Sequence, residues 1–97
     1  MEISSFSEGV INSLPLKNRI IKAATYEGKT VNGKPTEALL AFHKQMAEGG
    51  VAMTTLAYCA SEADGRVAQD MMFMHEGIRD GLEHLIGELH AAGTKVS

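Results

Sequence analysis

Two short apolar runs, each followed by an amphipathic helical pattern, and a third extended start after the second helix constrain this chain more than any other feature. The first run, Arg19-Ile20-Ile21-Lys22-Ala23-Ala24-Thr25-Tyr26, is partly β-branched and bounded by polar residues, which predicts a mostly buried strand. Glu27 to Lys34 reads as a loop, with Gly28 and an Asn32-Gly33 turn signal. Pro35 and Thr36 open a helix, where Thr36 can cap free amides and Glu37 suits the positive helix end. Leu39, Phe42, Met46 and Ala47 recur at helical spacing, and Gly49-Gly50 supplies a left-handed stop. Val51 to Ala57 form a second strand, with no room for a hairpin back to the first.

Residues 58–74 read as a long connection carrying Gly65, Asp64 and Asp70, and ending in Met71-Met72-Phe73-Met74. A second helix is expected from His75 to Ala92, with Ile78, Leu82, Leu85, Ile86 and Leu89 on one buried face. Gly77, Gly81 and Gly87 each cost about 1 kcal/mol against Ala in a helix interior, so close packing or tertiary support is expected there. Gly93 ends the helix, and Lys95-Val96-Ser97 begins another strand. Residues 1–18 are irregular and fit at most a small hairpin.

The order strand, helix, strand, helix, start of strand indicates βαβ units with parallel strands, as in a TIM barrel or a doubly wound sheet. Two strands and a stub cannot close a parallel sheet whose faces both need cover. The expected fold class is therefore α/β, with residues 1–97 forming a fragment of a larger domain.

Composition narrows the function classes. Hydrophobic residues make up 44% and charged residues 22%, with a net charge of −3, which is globular rather than disordered. Residues 1–50 carry six basic against five acidic side chains, and residues 51–97 three against seven, so neither half is a basic nucleic-acid footprint. No apolar run reaches the roughly 18 residues of a membrane span. The polar start lacks the pattern of a signal peptide, and the lone Cys59 fits a reducing compartment, so a cytoplasmic location is expected.

The candidate chemistry is thin. Neither GxGxxG nor GxxxxGK(S/T) follows the first strand, which argues against Rossmann and P-loop sites. His43, His75, His84 and His90 lack metal-ligand spacing and are expected to be solvated or helix-terminal. Cys59 has no sequence-adjacent base and reads as a buried or half-buried thiol. The Met71 to Met74 cluster reads as packing over a barrel rim, and Arg66 as a loop-fixing ion-pair partner. Parallel α/β folds gather function at the carboxyl ends of their strands, here Ala23-Ala24-Thr25-Tyr26 and Leu56-Ala57-Tyr58-Cys59. Small residues at these ends either admit a flat ligand to the backbone or simply fill a barrel.

The segment Leu16-Lys17-Asn18-Arg19-Ile20-Ile21-Lys22-Ala23-Ala24-Thr25 resembles the first strand of the old yellow enzyme family. The resemblance continues through Gly33-Lys34-Pro35-Thr36, Ala47-Glu48-Gly49-Gly50-Val51, Asp64-Gly65-Arg66 and Leu89-His90-Ala91-Ala92-Gly93-Thr94-Lys95-Val96. It covers residues from about 6 to 97 in family order. It implies a (β/α)8 barrel of about 250 residues that holds FMN at the strand carboxyl ends. It also implies reduction by NAD(P)H and hydride transfer to an activated alkene of the enone type. By position, Ala23, Ala24, Thr25 and Tyr26 would lie along the flavin ring, and Ala57 or Tyr58 would approach it from the second strand. Family members usually carry Gly or Ala where Tyr58 stands. No catalytic residue is carried over, because the family's catalytic motifs fall beyond Ser97, no metal ligand is expected, and these residues alone are expected to be inactive. Two rival readings remain open. One is a non-catalytic chain stabilised by homo-oligomerisation, and the other is the barrel of a multidomain dienoyl-CoA reductase or amine dehydrogenase relative.

Overall fold

The computed structural model describes residues 3–97. An antiparallel hairpin comes first, β1 (Gly9–Ile11) against β2 (Leu14–Leu16), turned through Asn12 at φ 51°. A parallel sheet follows, in the order β3 (Ile21–Lys22), β4 (Met53–Thr54), β7 (Lys95–Val96). Between its strands run α1 (Glu37–Glu48) and α2 (Arg79–Ala91). This is the expected βαβαβ order with parallel pairing.

Register decides which side of the sheet each residue serves. Lys22, Thr54 and Val96 pair across one row, and Ile21, Met53 and Lys95 across the next. Val96 packs against the main core of Leu39, Leu40, Met72, Ile78, Leu85 and Leu89, so the first row faces the helices. Met53 packs with Leu16 and Ala52, so the second row faces the hairpin. Helices thus cover one face, while the hairpin covers the other only near its lower end.

Local chemistry sets the helix limits. Thr36 Oγ1 accepts a hydrogen bond from the Leu39 amide at 3.2 Å, as expected of a cap. Gly50, at φ 105°, supplies the left-handed stop, whereas Gly49 is right-handed. Asn32 and Gly33 both have positive φ, the signature of a tight turn, closed by the Val31–Lys34 bridge. A Cβ at Gly33 would sit 2.2 Å from the Phe73 ring, so packing as well as backbone demands glycine there.

Three expectations need correction. The parallel ladder holds only two residues of each expected strand; residues 23–26 run on without ladder partners, and over 55–57 the Leu56 amide alone bonds across, to the Ser97 carbonyl at 2.9 Å. The connection over 58–74 contains a short parallel pair, β5 (Cys59–Ala60) with β6 (Met72–Phe73), too brief to leave a periodic signal. Met72 lies in the core, while Met74 is exposed. The second helix begins as a 3-10 turn over Glu76–Ile78, next to His75, which stacks on Phe73 at 4.3 Å and contacts the Gly33 carbonyl through Nε2 at 3.2 Å.

The helix glycines divide by surroundings. A Cβ at Gly81 would meet Pro35 Cγ at 2.8 Å, whereas one at Gly87 would meet nothing within 4 Å. Gly87→Ala should therefore raise the stability of the whole protein by up to about 1 kcal/mol. Gly81→Ala should lower it, because overpacking costs typically 1–3 kcal/mol and outweighs the helix gain. Thermal unfolding of the two variants checks this, and the prediction fails if both shift in the same direction.

Candidate functional site

Beyond β3 the chain leaves the ladder extended and uncovered. Ala23, Ala24, Thr25 and Tyr26 are all exposed. Among the described residues, no backbone or side-chain acceptor takes the amides of Ala24, Thr25 or Tyr26. Lys22 anchors this shelf by donating to the Ala23 carbonyl at 2.7 Å and to Thr25 Oγ1 at 3.1 Å. Beyond β4, the side chain of Ala57 is buried and that of Tyr58 is 41% exposed. The Tyr26 and Tyr58 rings meet at 5.5 Å, tilted 45°. The structure therefore brings the two expected strand ends together as one surface, with Tyr58 rather than the Ala57 side chain on its open side.

The Tyr26 hydroxyl donates to the Asp70 carboxylate, and Thr30 Oγ1 donates to the Asp70 carbonyl at 2.5 Å. These contacts pin the connection before β6 to the exit of strand one. Asp70 lies 44 residues from Tyr26, and no local pattern could have paired them.

Behind the shelf, in the strand–helix layer, lies a polar group that the sequence reading missed. His43 is fully buried, not solvated as expected. It stands one turn from both Leu39 and Ala47, so the position is on the core face of α1. Its Nδ1 lies 2.6 Å from Thr54 Oγ1, and its Nε2 lies 2.9 Å from Glu27 Oε1. The second contact is close but poorly aligned, so neither Glu27 oxygen nor His43 Nε2 gains a well-directed hydrogen bond. Lys22 Nζ approaches Glu27 Oε1 at 3.5 Å and lies 5.5 Å from the centre of the Phe42 ring. The signals were in the sequence: a lysine inside an apolar strand, and a histidine at the 39, 43, 47 spacing.

Burial governs the charges. It pushes the Glu27 carboxyl above its ordinary 4.5, and the opposing pull of Lys22, the Ala57 amide and Lys29 is weaker. Burial, with the Lys22 charge, lowers the His43 imidazole from 6.5 to about 4. His43 is accordingly neutral near pH 7.

Other expectations fall elsewhere. Cys59 is exposed as a residue, contrary to expectation, because it sits at the open end of β5. Its sulfur still lies 3.5 Å from Met74 Sδ, and this partial burial pushes the thiol up, away from the reactive thiolate. Arg66 fixes its loop as expected, but by donating to the carbonyls of Ala63 and Gln69 and covering the Phe73 ring, with no ion pair among the described residues. His84 meets Glu37 at an exposed 3.4 Å, and His90 is exposed in the last turn of α2. Among the described residues, no three His, Cys, Asp or Glu side chains gather as a metal site, and no helix is long and apolar enough to cross a membrane. A cleft of about 760 Å³ opens at the opposite end of the sheet, between the hairpin, Ala52, Gly93 and Lys95, away from the shelf.

Comparison with known proteins places this geometry. The fold matches part of two solved barrels. Old Yellow Enzyme from Pichia sp. AKU4542 aligns with a TM-score of 0.87 at 15% identity, over 98% of this chain and 25% of that one. Morphinone reductase in complex with tetrahydroNAD aligns with a TM-score of 0.89 at 18% identity, over 99% and 26%. The architecture is thus the N-terminal part of a (β/α)8 barrel. In sequence, the chain is 44% identical to the 4,4'-dithiodibutanoate disulfide reductase of Rhodococcus erythropolis, over 94% of this chain and 23% of that protein. It is 30% identical to the metal reductase of Desulforamulus reducens, over 94% and 14%. No protein-family model matches. The chain shares its fold with part of these old yellow enzyme barrels and spans about a quarter or less of the length of these relatives.

The buried imidazole predicts a pH dependence. The unfolded chain takes up a proton near the ordinary 6.5, which folded His43 refuses until about pH 4. Its contribution is therefore complete above pH 6.5 and is lost as pH falls through this window, by about 3 kcal/mol at most. Glu27 acts in the opposite sense, because its raised pKa lets the folded state protonate first and recover stability on acidification. Urea midpoints measured from pH 7 to pH 4 should fall less steeply in His43→Asn than in the unmodified protein. Parallel slopes would contradict the assignment.

Proposed function

We propose that the protein carrying this chain is an FMN-dependent NAD(P)H oxidoreductase and that residues 23–26, 57 and 58 form one wall of its flavin site. The observation that carries this reading is the shelf beyond β3, where small side chains and unpaired amides lie open at the carboxyl end of a parallel sheet. A flat ring rimmed with carbonyls and nitrogens needs such a surface, because Ala23 and Ala24 let it approach the backbone and free amides can donate to its edge. The residues present therefore fit a flavin. Tyr58, larger than the family's usual small residue, lies tilted against Tyr26 and leaves the Ala23–Thr25 shelf uncovered.

When bound, FMN supplies the hydride relay between the nicotinamide and the acceptor. The chain's own residues bind and orient. Lys22 holds the Ala23 carbonyl and the Thr25 hydroxyl in place. Tyr26 gives its single proton to Asp70, so its oxygen faces a neighbour as an acceptor only. That makes Tyr26 an electron-rich edge rather than a donor to a flavin carbonyl. The proposed acceptor is an activated alkene, in keeping with the family. A second acceptor class, an organic disulfide, is favoured by the 44% identity to a disulfide reductase, against 15–18% to the two solved barrels. Disulfide cleavage would consume the same two electrons and two protons to yield two thiols.

The test is the complete protein, purified without added flavin and then titrated with FMN. The expected result is a bound yellow chromophore that NADH or NADPH bleaches, with recovery on adding an enone or an organic disulfide. Ala24→Phe should weaken FMN binding by tenfold or more by blocking the shelf. A folded protein that binds no flavin would end this reading.

A further inference from the structure

Apart from Lys22, the buried group behind the shelf has no part in the chemistry just described, yet it links both strands of the wall to α1. Glu27 follows Tyr26 directly, Lys22 precedes Ala23, Thr54 belongs to β4, and His43 belongs to α1. Carboxylate, imidazole and hydroxyl stand in line, as in a hydrolase triad. Thr54 and His43 are both 0% exposed, so no substrate can reach the hydroxyl and nucleophilic catalysis is excluded. A carboxylate whose side chain is 2% exposed, with neither oxygen well bonded, is costly to keep unless its position matters.

We propose that Glu27 is a positioning residue that clamps the carboxyl ends of strands one and two together from behind, and so fixes the spacing between the Ala23–Thr25 shelf and Tyr58. The proposal rests on the flavin reading for its purpose, but the clamp stands on this chain's own geometry. Glu27 draws on both strands: Lys22 Nζ is 3.5 Å away, and the Ala57 amide approaches it just before Tyr58. His43 Nε2, 2.9 Å distant, ties the carboxylate to α1 and, through Nδ1, to Thr54. Two neutral hydrogen-bonding groups cannot replace this arrangement, because Lys22 is itself only 12% exposed and needs a compensating charge. Lys29, 5.7 Å from the centre of the Phe42 ring, is a second cation near the group.

In the clamp, removing the charge should loosen the wall locally without disturbing the distant face of α2. The test uses the complete protein and compares Glu27→Gln and Glu27→Leu with the control Glu83→Gln on the exposed side of α2. The first readout needs no flavin. Hydrogen exchange at the Leu56 and Ala57 amides should accelerate at least tenfold in both Glu27 variants, while the Leu85 and Leu89 amides keep their protection. The second readout is FMN titration, in which both variants should bind at least tenfold more weakly, with a displaced flavin absorption band in the bound form. If a Glu27 variant does not fold, the paired replacement Lys22→Met, Glu27→Leu removes both charges together and should show the same faster exchange and weaker binding. Unmodified exchange at Leu56 and Ala57 in a folded Glu27 variant, or in the paired one, would overturn the clamp. Faster exchange there in a protein that binds no FMN would support the clamp and sink the flavin reading instead.

Discussion

Parallel pairing of three very short strands is the constraint from which the rest of the structure follows. With Ile21, Met53 and Lys95 in one row and Lys22, Thr54 and Val96 in the next, each residue is committed to one face. A one-residue slip would send Lys22 and Thr54 toward the hairpin and Met53 toward the helices. The ladder is only two residues deep, so most of its stability must come from the helices packed on Val96 rather than from its own hydrogen bonds. Because the ladder ends at Lys22 and Thr54, residues 23–26 and 55–58 emerge together on one side and can serve as a site.

That arrangement places a charged group in a layer that is otherwise apolar. Leu39, Leu85 and Leu89 build the core between the helices and the sheet, and a few residues away Lys22, Glu27 and His43 sit in the same layer. Such burial is poor evidence of stability, since an apolar replacement of the whole group is often neutral or better. Its value lies in specificity of position. Only one arrangement brings an ammonium, a carboxylate and a neutral imidazole into contact, and that arrangement aligns two strand ends.

Much of the architecture could be read from residues. The repeat Ile78, Leu82, Leu85, Leu89 gave α2, Thr36 gave the start of α1, and Asn32-Gly33 gave its turn. Strand lengths were overestimated because Ala23 to Tyr26 look extended and are extended, yet they lack a ladder partner. The β5–β6 pair was illegible at two residues per strand. His43 and Cys59 were misassigned for related reasons: each was judged by its own segment, while Thr54, Glu27 and the open end of β5 decided its burial. The shelf residues came from a position rule and a family resemblance, whereas Asp70 and Glu27 joined the picture only in three dimensions.

The central claim is that the open strand ends of this chain form one wall of a flavin site, held from behind by a buried carboxylate. A crystal structure of the complete protein with FMN bound tests it most directly. The account predicts the ring lying along Ala23, Ala24 and Thr25, with Tyr26 and Tyr58 at its edge and Glu27 still within reach of Lys22 and His43. A ring bound elsewhere in the barrel, with residues 23–26 covered by other parts of the chain, would contradict it.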